Sequence, residues 1–113
     1  MVEAWLELDT DLRARLRDVL GDEPRPVTEA ELRKLLEEGR ACTLILRAEL
    51  ERLETRLAQL DRDAGSSLGA IADAFRRVHD FRAHVEELET LMSALERRAQ
   101  EVHTSWRLGQ LRS

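Results

Sequence analysis

An apolar or small residue recurs at alternating spacings of four and three from Leu32 almost to the C-terminus. The first stretch is Leu32, Leu36, Gly39, Thr43, Leu46, Leu50, Leu53, Leu57, Leu60 and Ala64. The second is Ile71, Ala74, Val78, Phe81, Val85, Leu88, Met92, Leu95, Ala99, Val102 and Trp106. This spacing averages 3.5 residues, so in a helix it keeps one narrow stripe turned toward a partner helix, as in a coiled coil. A strand alternates faces every two residues and cannot bury such a pattern. The chain is therefore expected to be all-α, a single helical domain over residues 1–113.

Two breaks divide it. Gly21-Asp-Glu-Pro-Arg-Pro26 supplies a helix-stopping glycine and two prolines, and a Gly/Pro linker is expected over 21–27. Before it, within residues 1–22, Leu8, Leu12, Leu16, Val19 and Leu20 mark a short amphipathic helix over about 10–20, capped by Asp9 or Thr10. After it, Thr28 and Glu31 form a capping box, with Val27 and Leu32 as the hydrophobic staple. The second helix then runs over about 28–64. The second break is Asp63-Ala-Gly65-Ser66-Ser67, beyond which a third helix is expected over about 67–108, ended by Gly109.

If the chain reverses at Gly65, Ser66 and Ser67, facing seam residues have numbers summing to about 131. Leu60 then meets Ile71, Leu46 meets Val85, and Leu32 meets Ala99. The small Gly39 and Thr43 fall opposite the long Met92 and Leu88, as complementary packing requires. This predicts a long antiparallel coiled-coil hairpin over 28–108, completed by oligomerisation into a helical bundle. The stripe also continues in register through Ala64 and Ser67, so one continuous or domain-swapped helix through 65–67 is the alternative. Gly65, Ser66, Ser67 and Gly69 would cost that rod up to about 1 kcal/mol each relative to alanine.

More apolar residues exist than a two-stranded seam can bury. Leu35, Cys42 and Ile45 on the second helix and Leu91 on the third gather beside the seam on the open half of the hairpin. Either the first helix folds back over them, or a partner completes a bundle there. With Trp5 and Trp106, both expected near the open end, they form the candidate partner or oligomer interface.

Charged residues make up 36% of the chain and aromatics 4%, and the net charge of -5 disfavours nucleic acid, whose phosphates need a concentrated basic surface. Asp9/Arg13, Asp11/Arg15, Glu29/Arg33 and Asp73/Arg77 are spaced i,i+4, which reads as solvated helix faces. Cys42 is the only cysteine, which excludes an intramolecular disulfide and suits a reducing compartment. The first eight residues lack the basic start and apolar core of a secretory signal. No apolar run approaches the ~20 residues of a membrane span. An intracellular protein, cytoplasmic or nuclear, is expected.

Little chemistry is visible. Asp80, His84 and Glu87 share a helical face, and His84-Val-Glu-Glu87 has the local form of a bundle metal motif, but it occurs once where such sites draw on several helices. Glu86, Glu87 and Glu89 form an acidic cluster that reads as solvated surface. No phosphate loop or nucleophile–base pair is present, so no catalytic, metal or cofactor-binding residue is assigned and no small-molecule substrate is expected. The expected function is a non-enzymatic protein–protein interaction module, a coiled-coil adaptor or scaffold subunit or a homo-oligomer, with itself or another helical protein as partner. The alternative is a small chaperone or regulator that masks an amphipathic helix of a client. The layout broadly resembles the small helical subunits of intracellular assemblies and the chaperones of secretion systems, without a motif specific to either.

Overall fold

The structure, a computed structural model, describes residues 2–21 and 27–112; the side chains of 2–6, 8 and 112 and most of the expected linker fall outside this description. Three helices follow one another: α1 (Val2–Leu20), α2 (Glu29–Arg62) and α3 (Leu68–Arg112). There is no strand among the described residues. The helices form an elongated body with principal extents of 72 × 23 × 20 Å. A 45-residue helix is about 68 Å long at 1.5 Å per residue, so α3 sets the length.

The start of α2 follows its local chemistry. Thr28 is extended and its Oγ1 accepts from the Glu31 N–H at 3.1 Å, satisfying one of the orphan donors of the first turn. Leu32 is buried and Val27 packs against the same core.

The chain reverses between α2 and α3. Asp63 caps α2 by donating its N–H to the Gln59 carbonyl at 3.1 Å, and the Ser66 N–H reaches the Asp63 carbonyl at 3.0 Å. Asp63 Oδ1 accepts from the Gly65 N–H at 2.9 Å, an Asx turn. Ser67 then opens α3, its Oγ accepting from the Ala70 N–H at 3.1 Å. The expected turn at Gly65, Ser66 and Ser67 is therefore the observed one, and the continuous-rod alternative is not adopted. No described glycine has positive φ, so Asp63 and Ser67 make this turn through hydrogen bonds, and no left-handed glycine is needed.

α2 and α3 lie antiparallel along the expected seam. Leu32, Leu46, Leu50, Val78, Phe81, Val85, Leu88, Met92 and Leu95 are buried in one apolar core. The register shows at Gly39, where an added Cβ would overlap Sδ and Cε of Met92; the two numbers sum to 131. Thr43, the polar seam position, donates its hydroxyl to the Gly39 carbonyl at 2.8 Å, so it enters the seam satisfied. Along one edge three ion pairs repeat every seven residues: Arg40–Glu96 at 3.8 Å, Arg47–Glu89 at 2.6 Å and Glu54–Arg82 at 3.6 Å. Exposed pairs of this kind contribute little stability each, but all three are matched only in this register.

Two boundaries differ from the sequence expectation. α1 begins at Val2, about two turns before Asp9, so neither Asp9 nor Thr10 is its cap. α3 does not stop at Gly109 but continues to Arg112; one exposed glycine costs a helix only about 1 kcal/mol.

Gly39 gives the first test. Alanine there gains about 1 kcal/mol of helix propensity but must push Met92 aside, and overpacking costs about 1–3 kcal/mol. Gly39→Ala should be destabilising in the native background and stabilising in a Met92→Ala background. Urea unfolding of the four chains checks the sign reversal; equal effects in both backgrounds would place Gly39 and Met92 apart.

Candidate functional site

The edge opposite the ion-pair ladder carries α1. Within this 19-residue helix, Asp9, Leu12, Leu16 and Val19 recur at spacings of three and four and form a buried stripe. Leu12, Leu16 and Val19 are buried in the same core as Leu35, Cys42 and the hairpin seam, and Leu91 packs against it. Burial of each such side chain stabilises by about 1.5–3 kcal/mol. A groove between α2 and α3 is thus filled by the chain's own first helix.

The polar part of this contact is less well satisfied. Asp9 falls on the buried stripe and is wholly inaccessible. Its Oδ2 lies 3.2 Å from Arg13 Nε and touches His84 Nε2. These are close contacts without hydrogen-bond geometry, since both Asp9 carboxylate oxygens and Arg13 Nε are buried with no hydrogen-bond partner. A buried polar atom left unsatisfied costs about 1–3 kcal/mol. Arg13 itself is anchored by Glu87, donating from Nη1 to Oε2 at 2.7 Å, and its Nη2 lies 3.2 Å from His84 Nε2. Arg17 also pairs with Glu87, and Arg15 donates to Glu38 on α2 at 2.6 Å. Acidic groups of α2 and α3 therefore flank the groove, and arginines of α1 meet them.

Several sequence expectations are corrected here. Asp9/Arg13 is not a solvated pair: Asp9 is fully buried and the Arg13 side chain is only 12% exposed, because Asp9 occupies a seam position of α1. The other i,i+4 pairs are exposed, as expected for Asp11–Arg15 and Glu29–Arg33, whereas Asp73 pairs with Arg76 at 2.6 Å and not with Arg77. The acidic cluster is largely neutralised within the chain, Glu87 by Arg13 and Arg17 and Glu89 by Arg47.

Of the candidate interface residues, Leu35 and Cys42 are core residues of the folded chain, sharing that core with Leu12, Leu16 and Val19 of α1. Ile45 and Leu91 are half-buried. Trp106 is 56% exposed and its ring stacks near that of His103. The side chain of Trp5 falls outside the described residues.

The candidate metal face does not gather ligands. His84 and Glu87 are engaged by Asp9, Arg13 and Arg17, Asp80 is exposed, and no group of three or more His, Cys, Asp or Glu side chains is arranged to hold a metal among the described residues. No helix among them is long and apolar enough to cross a membrane.

On the ladder edge a shallow groove of about 420 Å³ is lined by Thr43, Leu44, Met92 and Ser93 between the flanking ion pairs. Leu44, Leu68, Phe75, Trp106, Leu108 and Leu111 are all more than half exposed. The chain matches no protein-family model, curated protein or solved structure with which it was compared.

Cys42 reports on this site. Burial first, then the charge of Asp9, push its thiol up from about 9 to about 11, against the opposing charge of Arg13. The folded chain thus keeps the thiol protonated where the unfolded chain ionises it, so this contribution to stability is complete below about pH 9 and is lost as pH rises from about 9 toward about 11. At pH 8 a thiol reagent should modify Cys42 far more slowly in the native chain than in urea. Matching rates would mean that α1 does not cover it.

Proposed function

We propose that this chain is a non-enzymatic helical interaction protein, a coiled-coil subunit or homo-oligomer whose partners are other helices. The observation that carries the reading is the apolar surface remaining after all three helices have packed. The last part of α3 extends past the start of α2, since position 29 is level with about 102 in the observed register. On this overhang Trp106, Leu108 and Leu111 are 56%, 52% and 83% exposed. Large apolar side chains grouped on one unpartnered helix end mark protein contact sites, and tryptophan is a common anchor of such contacts. Leu44 and Phe75, 72% and 61% exposed, extend the same character along the rod.

The regulator that masks a client helix is the second reading, favoured by a different observation: α2 and α3 already hold one amphipathic helix, α1, in a groove flanked by Glu38 and Glu87.

Solution mass across a concentration series tests the first reading. The native chain should exceed the 13.0 kDa monomer, alone or with a partner helix, and Trp106→Glu with Leu111→Glu should reduce that association at least tenfold with unchanged helicity. A chain that stays monomeric in every mixture, or a double variant that associates as before, would remove the overhang as the contact.

A further inference from the structure

We propose that the groove beneath α1 is a binding site for a basic amphipathic helix of a partner protein, and that α1 is its imperfect internal occupant. The inference rests on the interaction-module reading but uses a surface separate from the α3 overhang.

Three observations define the ligand. The groove floor is apolar, with Leu35, Cys42 and Leu88 buried and Leu91 beside them, so it takes a stripe of the form Leu12-x3-Leu16-x2-Val19. Its flanks are acidic: Glu38 on α2 meets Arg15, and Glu87 on α3 meets Arg13 and Arg17. A helix with arginine on both sides of its apolar stripe complements it. The third observation is the misfit. Asp9 stands at a stripe position, fully buried, with neither carboxylate oxygen hydrogen-bonded.

A buried charge pair of poor geometry is commonly no better than well-packed apolar residues of similar size. Here only one member is replaced, but Arg13 keeps Glu87 as its partner. A helix with the same leucines and arginines but an apolar residue in place of Asp9 therefore leaves that arginine paired and fits better than α1 does. Such a helix displaces α1, whereas a helix without basic flanks does not. His84, which touches Asp9 in the closed chain, is partly exposed and can be hydrated once Asp9 leaves.

The probe is a fluorescent peptide of residues 5–20 with Asp9→Leu, added to the full-length protein. It should bind the native chain in competition with α1. Binding should be at least tenfold weaker to the full-length Asp9→Leu variant, whose own α1 is seated more firmly. It should be at least tenfold tighter to the Leu16→Glu variant, whose α1 is unseated and whose remaining helicity is confirmed by circular dichroism. Glu38→Lys with Glu87→Lys should weaken binding at least tenfold. Hydrogen exchange of the α1 backbone amides gives an independent reading: it should be slower in Asp9→Leu than in the native chain.

Faster exchange of the α1 amides in Asp9→Leu would make Asp9 a stabilising contact and overturn the proposal. Binding that ignores all three substitutions would overturn it too. So would exchange of α1 between copies without peptide binding, which would assign the groove to a second copy of this chain. In each case the test at Trp106 and Leu111 stands or falls separately.

Discussion

The fit of Gly39 against Met92 fixes the rest of the molecule. A helix pair with an unbroken seven-residue pattern can slide by one repeat and still bury apolar residues against apolar residues. Gly39 has no side chain where Met92 needs space, so only one repeat packs without overlap or void. Once that register is set, the exposed pairs Arg40–Glu96, Arg47–Glu89 and Glu54–Arg82 fall into line. The turn length follows, and so does the place where α3 outruns α2. The groove for α1 is the edge that this register leaves apolar.

The two edges of the hairpin have different characters. The ladder edge is bridged by charge across the seam and carries a shallow groove around Leu44. The α1 edge is apolar at its floor and acidic at its flanks. Its occupant combines good leucine packing with an unsatisfied buried carboxylate. That combination is the basis of the proposal that another helix can compete with α1 for the groove.

Much of the fold was legible because it rests on local or periodic signals. Thr28 caps α2, the polar run Asp63–Ser67 turns the chain, and the seam arithmetic places Gly39 opposite Met92. The site was legible in part. Leu35, Cys42 and Leu91 stood out as surplus to a two-stranded seam, and the first helix was one of two candidates to cover them. What escaped was Asp9. Its spacing, four after Trp5 and three before Leu12, is that of a seam residue, but its charge and the arginine four positions later favoured a solvated pair. Asp9 as a cap also shortened α1 by about two turns, although Leu12, Leu16 and Val19, which share the core with Leu35 and Cys42, lie within the expected helix. Gly109 misled for a different reason: a single exposed glycine weakens a helix by only about 1 kcal/mol, and α3 runs through it to Arg112.

Hydrogen exchange of the full-length protein, read by mass spectrometry, tests the account most directly. The account predicts that the seam segments around 32–50 and 78–95 exchange most slowly and that α1 exchanges sooner, as a separate unit, while the seam remains protected. Exchange of α1 at the same rate as the seam would contradict it, because α1 would then be an inseparable part of the core.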